Sequence, residues 1–259
     1  MTGSRAAWRT ELAVAETLAR AIHGVLGEDL VAIYLAGSAV TGGLDPDVSD
    51  LDLVVVTAGP ADGSDLAGLE LIHREFVVRR PAWSDRIEAV YVGRSTLESF
   101  RTSTERLAVI SPGEPFHVRD EAAALWLQNW YLIREVGVSL AGPPASDVVP
   151  PISWPEFVGA IAAYAIELAN RIDGDLSPGA LAYEVLTVCR ASMTIQTDRH
   201  VSKREGAAWV SERWPESARL IDASLRCRDS RGAVGFHHAR TQSAARALVH
   251  RLVAEVVAL

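Results

Sequence analysis

The chain of 259 residues is 49% hydrophobic and 22% charged, with a formal net charge of −8. That composition suits an ordinary globular protein long enough for two domains; no apolar run approaches the ~20 residues of a membrane span, and an acidic balance argues against a nucleic-acid partner, whose phosphates select basic faces. Two cysteines, Cys189 and Cys227, form neither a disulfide framework nor a zinc spacing, and the polar N-terminus lacks the pattern of a signal peptide, so a reducing cytoplasm is the expected compartment.

Residues 5 to 26 have the spacing of an amphipathic helix ending near Gly27. Leu30 to Ala36 reads as an apolar strand, Gly37-Ser38 as a turn, and Leu51 to Thr57 as a second strand broken by Ala58-Gly59-Pro60. Residues 64 to 79 read as helix, Arg86 to Val92 (RIEAVYV) as a third strand, and residues 119 to 137 as helix stopping at Gly137. This alternation predicts an α/β (α+β) domain around a small mixed sheet. Five of the fourteen residues from Gly142 to Pro155 are proline, which places a boundary between domains 1–150 and 151–259. Beyond it, residues 155 to 172, 178 to 196, 202 to 213, 215 to 228 and 239 to 258 show helical spacing, an all-α bundle. Ser202 with Glu205 forms a capping-box pattern, Pro215 suits a helix start, and Trp209 and Trp214 read as core.

Chemistry concentrates where the second strand begins. Asp50 and Asp52 interrupt an apolar run, and a buried carboxylate without a partner is very costly, so the strand end is exposed or faces a cation. Two apart on a strand, they point to one side and bracket a site roughly 7 Å across. Such hard oxygen donors suit Mg²⁺. Upstream, Gly37-Ser38 offers backbone N–H groups and a hydroxyl for phosphate, and Gly42-Gly43 lets the chain return. Glu88 would face the same edge if its strand is a neighbour, to ligate the metal or accept a hydroxyl proton; alone, it reads as a solvent-facing charge. Arg190 lies in the apolar run EVLTVCRASMTI, so its charge needs a bound anion, an open cleft or a structural ion pair. Lys203 belongs with Arg199 and Arg204 to a basic cluster that, alone, is a solvated helix end. The pair His237-His238 has no metal-spaced companions and reads as surface. The chain has no Walker loop, no Gly-x-Gly-x-x-Gly and no nucleophile elbow.

The run from Gly37-Ser38 to Asp50-Leu51-Asp52 resembles the signature of the polymerase-beta-like nucleotidyltransferases. With RIEAVYV, LIREVGVSLAGPP at 132–144 and VLTVCRASMTIQTDRHVSKREGAAWVSERWP at 185–215, the chain resembles, within that superfamily, the aminoglycoside adenylyltransferases that modify streptomycin and spectinomycin. The resemblance implies Mg²⁺-dependent transfer of AMP from ATP to a hydroxyl of a cationic antibiotic, by a monomer. Asp50 and Asp52 would bind Mg²⁺ with ATP; Gly37, Ser38 and Ser49 would hold its phosphates; Glu88 would be the general base, or a metal ligand that assists it; Arg190 and Lys203 would reach the triphosphate; and the acceptor would lie between the domains. The loop from Asp173 to Ala180 lacks the tryptophan and acidic residues expected of streptomycin-modifying members, which leaves the antibiotic open. The alternatives are another small metabolite or a protein as acceptor, and a catalytically inactive nucleotide-binding regulator.

Overall fold

The computed structural model describes residues 2–232 and 239–258, so His237-His238 lies outside the described residues. The chain divides into two compact units, Met1–Ile152 and Ser153–Leu259.

The first unit opens with helix α1 (Thr2–Leu26) and strand β1 (Leu30–Leu35), followed by the one-turn helix α2 (Gly37–Thr41) and β2 (Leu51–Thr57). Helix α3 (Leu66–Arg79), β3 (Ile87–Gly93), α4 (Arg94–Glu98), β4 (Thr104–Ser111), β5 (Glu114–Ala122), α5 (Leu127–Val136) and β6 (Val138–Ala141) complete it. The six strands form one mixed sheet in the order β5-β4-β3-β2-β1-β6. Only the central β2–β3 pair is parallel, joined by the crossover through α3; the other pairs are antiparallel. Three of these strands, β4, β5 and β6, are absent from the sequence expectation, and the helix expected over 119 to 137 is a strand up to Ala122.

Both faces of the sheet are covered. Leu51, Leu53 and Val55 of β2, with Ile87, Ala89 and Tyr91 of β3, face one core built against Val14, Leu18 and Ile22 of α1 and Leu69 and Phe76 of α3. Val54 and Val56, with Val90 and Val92, face the other, against Leu97 of α4, Trp130 and Ile133 of α5 and the segment from Ala145 to Ile152. Alternation along a strand is what splits these sets.

The second unit is helical: α6 (Trp154–Arg171), α7 (Pro178–Thr197), α8 (Lys203–Arg213), α9 (Ala218–Asp229) and α10 (Ala239–Val257). Helix α7 packs against the other four and is buried nearly all round, which explains its continuous apolar sequence. The capping box of Ser202 and Glu205 opens α8, and a second, of Ser153 and Glu156, opens α6. Pro215 opens a short 3-10 turn before α9. Trp214 is buried, whereas Trp209 is half-buried with the Arg213 guanidinium 5.3 Å from its ring centre, a correction to its reading as core. Among the described residues no helix is long and apolar enough to cross a membrane.

Candidate functional site

The parallel ladder pairs Asp52 of β2 directly with Glu88 of β3. Neighbouring strands lie about 4.8 Å apart, so the two carboxyl side chains leave the sheet side by side. They belong to the face carrying Val54, Val56, Val90 and Val92. That cover stops before the start of the two strands, and Asp52 and Glu88 are only half-buried. Asp50, also half-buried, stands one residue before β2. The open strand end is thus the physical answer to carboxylates in an apolar run.

Gly37 is fitted to Asp52. The Ala36 N–H donates to the Asp52 carbonyl at 2.9 Å, tying the end of β1 to the start of β2. Gly37 itself has φ +61°, and a Cβ placed there would meet Asp52 Oδ2 at 1.7 Å. Only glycine leaves room for the carboxylate and adopts that backbone without strain. The next residue, Ser38, has a buried Oγ with no hydrogen-bond partner in the protein. A buried hydroxyl without a partner costs free energy, and a phosphate oxygen would satisfy it. Gly42 (φ +81°) ends the helix and turns the chain back.

The return loop is locked from within. The Asp45 carbonyl accepts from the N–H groups of Val48 (3.2 Å) and Ser49 (2.9 Å), and the Ser49 Oγ accepts from the Asp45 N–H at 2.9 Å. Ser49 is buried, and its side chain closes the loop by accepting from Asp45, which leaves its hydroxyl hydrogen to donate.

Two residues beside the loop escape a reading of sequence motifs. Arg86 is buried; its Nε and Nη2 donate to the Ser49 carbonyl at 3.0 and 2.5 Å, and its guanidinium lies 4.3 Å from the Trp83 ring centre. Glu11 of α1 is 4% exposed, and its Oε1 has no partner. Burial pushes its carboxyl up to about 7; Arg86 opposes that shift, and Asp50 and Asp47 add to it. Glu11 sits on the stripe of Val14, Ala15, Leu18 and Ile22, so a charge on the apolar face was its visible signal.

Mg²⁺ fits the donor set as two carboxylates completed by phosphate oxygens and water. Among the described residues no three His, Cys, Asp or Glu side chains are gathered as a metal cage of their own, so nucleotide oxygens would have to complete the shell.

The second unit carries the two expected cations. Helix α8 crosses α7 at Gly206, where a Cβ would meet the Arg190 N and Cα at 2.6 Å. That close approach sets half-buried Arg190 against the first turn of α8, where Lys203 lies. The Lys203 ammonium is 4.1 Å from the ring centre of Tyr183, two turns before Arg190 on α7. Arg190 also helps to lower the His200 pKa to about 4, though burial of the imidazole is the larger cause. Arg199 and Arg204 are held by Glu205 (3.1 Å) and Asp229 (2.7 Å). In the loop before α7, Asp173 pairs with His250 at 3.1 Å.

Residues 147–255 match the family model described as "Aminoglycoside adenylyltransferase, C-terminal domain", and residues 23–112 match that of the "Nucleotidyltransferase domain". Among solved structures the chain is similar to spectinomycin adenyltransferase AAD(9) from Enterococcus faecialis, a structure with ATP and spectinomycin. Identity is 18% over 96% of this chain and 99% of that one, with a TM-score of 0.69, a likeness of fold. The STING-associated CdnE c-di-GMP synthase from Capnocytophaga granulosa, at 12% identity over 98% of this chain and 81% of that one, superposes loosely, with a TM-score of 0.37.

Proposed function

The chain belongs to the aminoglycoside adenylyltransferase family of nucleotidyltransferases, and on that premise we propose that it transfers AMP from ATP to a hydroxyl of an aminocyclitol antibiotic. The observation that carries the chemistry is the Asp52–Glu88 ladder pair at an open strand end, beside Gly37 and the unpartnered Ser38 hydroxyl. Spectinomycin is the first acceptor to test, because AAD(9) matches this chain almost end to end.

The acceptor oxygen attacks the α-phosphorus in line, the bond to the bridging oxygen breaks, and pyrophosphate leaves. Glu88 takes the acceptor's proton, acting as a general base at a half-exposed position that a substrate can reach. Ser38 donates its hydroxyl hydrogen to a phosphate oxygen, and Gly37 lets Asp52 stand beside it. Asp50 and Asp52 would hold Mg²⁺, and the ion would supply Lewis-acid stabilisation of phosphate charge when bound. Arg190 and Lys203 are the cations we assign to the charge of the triphosphate. Their presence alongside an intact Asp50, Asp52 and Glu88 favours an enzyme over an inactive regulator.

The test is incubation with ATP, Mg²⁺ and a panel containing spectinomycin and streptomycin, reading pyrophosphate release and product mass. One adenylylated antibiotic is expected. If no antibiotic gains mass while another metabolite or a protein does, the acceptor assignment falls.

A further inference from the structure

We infer that Arg86 is a positioning residue for Asp50, fixing the direction in which its side chain leaves the backbone by gripping the peptide groups on both sides of it. The inference rests on the reading of Asp50 as a metal-binding carboxylate. The Arg86 side chain donates Nε and Nη2 to the Ser49 carbonyl, at 3.0 and 2.5 Å. Its own main-chain carbonyl accepts the Leu51 N–H at 2.8 Å. Ser49 C=O belongs to the peptide plane before Asp50, and Leu51 N–H to the plane after it. Each plane is rigid, so holding both fixes φ and ψ of Asp50 and with them the direction of its Cα–Cβ bond. One residue, 36 positions later in the chain, therefore sets the backbone from which the Asp50 side chain departs.

The clamp is itself built to be stiff. Arg86 Nη1 donates to the Ala82 carbonyl at 3.3 Å, and the Arg86 N–H donates to the Trp83 carbonyl at 3.2 Å. Trp83, buried, supplies a flat surface 4.3 Å from the guanidinium carbon. Arg86 is 3% exposed. A cation so deeply buried is expensive unless it is well hydrogen-bonded, and here the guanidinium donates to the Ser49 and Ala82 carbonyls with the Glu11 carboxyl near enough to feel its charge. Lysine cannot replace it, because one ammonium cannot reach two carbonyls in the fixed fork of a guanidinium. Groups that orient metal ligands through a hydrogen bond typically change metal affinity 10–100-fold when removed.

Arg86→Lys and Trp83→Leu probe the clamp from its charged and stacked sides. The readout is Mn²⁺ affinity of the full chain in the presence of α,β-methylene ATP, followed by electron paramagnetic resonance, with thermal unfolding alongside. Leu69→Ala, in the α1–α3 core, serves as a variant of reduced stability with an intact clamp. The expected result is Mn²⁺ binding weakened about tenfold by Arg86→Lys and about threefold or more by Trp83→Leu. Leu69→Ala should leave it within about twofold of the wild type. Should Arg86→Lys fail to fold, Trp83→Leu decides. Wild-type affinity in Asp50→Asn would overturn the metal reading, and the clamp with it. Loss in Asp50→Asn, with wild-type affinity in the clamp variants, overturns the clamp alone.

Discussion

The two ends of the β2–β3 ladder differ in what covers them. At Val54–Val90 and Val56–Val92 the pairs face a core, and residues on both faces are buried. Two rungs earlier, Asp52–Glu88 has the same parallel register and points to the same face, yet both side chains are half-exposed. The backbone is one continuous ladder; the site begins where the cover stops. A carboxylate pair that would be prohibitive at one end is sustainable at the other, because water or a bound cation can reach it.

That comparison breaks most visibly at the open end. Asp52→Asn should reduce pyrophosphate release by about 10³-fold or more, since a preorganised metal site contributes several kcal/mol to the transition state. The unfolding midpoint of the same variant should move by only a few degrees, because it removes no packed apolar surface. Its neighbour Leu53, on the opposite, covered face, should behave in reverse. Leu53 is 2% exposed in the α1–α3 core, and Leu53→Ala should cost about 3 kcal/mol in urea unfolding. Turnover measured well below its melting temperature should stay within a few-fold. A collapse of activity in Leu53→Ala with a folded protein would show that the two faces are not independent.

Gly37→Ala sharpens the contrast. The new methyl falls on the Asp52 carboxylate, 1.7 Å from Oδ2, at a φ of +61° that alanine adopts only with strain. Activity should drop about 100-fold, a displacement effect on the reacting groups, while stability falls by about 1–2 kcal/mol. Wild-type kcat in this variant would place the functional conformation of Asp52 away from Gly37.

The sequence made this open end legible for a definite reason: charge stood where apolar pattern demanded none. Asp50, Asp52 and Glu88 were visible that way, and Glu11 would have been, as a break in the stripe of Val14, Leu18 and Ile22. Arg86 was not, because its meaning depends on Ser49, brought beside it only by the parallel pairing of β2 and β3. The same limit applies to the sheet. Strand β5 (EPFHVRDEA) has no buried residue, so it shows no alternation, and the alanine-rich run after it reads as helix. Strand β6 has four residues, too few for a period. The helices of the second unit were legible because apolar residues recur at helical spacing and several helices open on a clear start signal, as at Ser202 and Pro178. The nearness of Arg190 to the first turn of α8 was not, since it follows from the missing side chain of Gly206 at the crossing.

Acid should also separate the two ends, with opposite signs. Under the covered face, His73 of α3 is buried, with Nε2 2.6 Å from the Tyr91 hydroxyl, and desolvation lowers its pKa to about 4. Between pH 6.5 and about 4 the unfolded chain binds a proton there and the folded chain does not, so stability falls as pH falls through that window. At the open end Glu11 is raised to about 7, so between about 4.5 and 7 it is the folded state that holds the extra proton. Its contribution is present in acid and is lost as pH rises towards 7. The wild-type curve mixes both, and His200, lowered for a similar reason to His73, adds to the acid loss. His73→Phe isolates one sign. Relative to the variant, the wild type should lose about 2 kcal/mol between pH 7.5 and pH 5 in urea unfolding, counting a shift of one pKa unit as about 1.4 kcal/mol. Parallel pH curves for the two proteins would mean that His73 titrates in the folded state as it does in the unfolded one, with water or a partner reaching a ring that the covered face is built to keep dry.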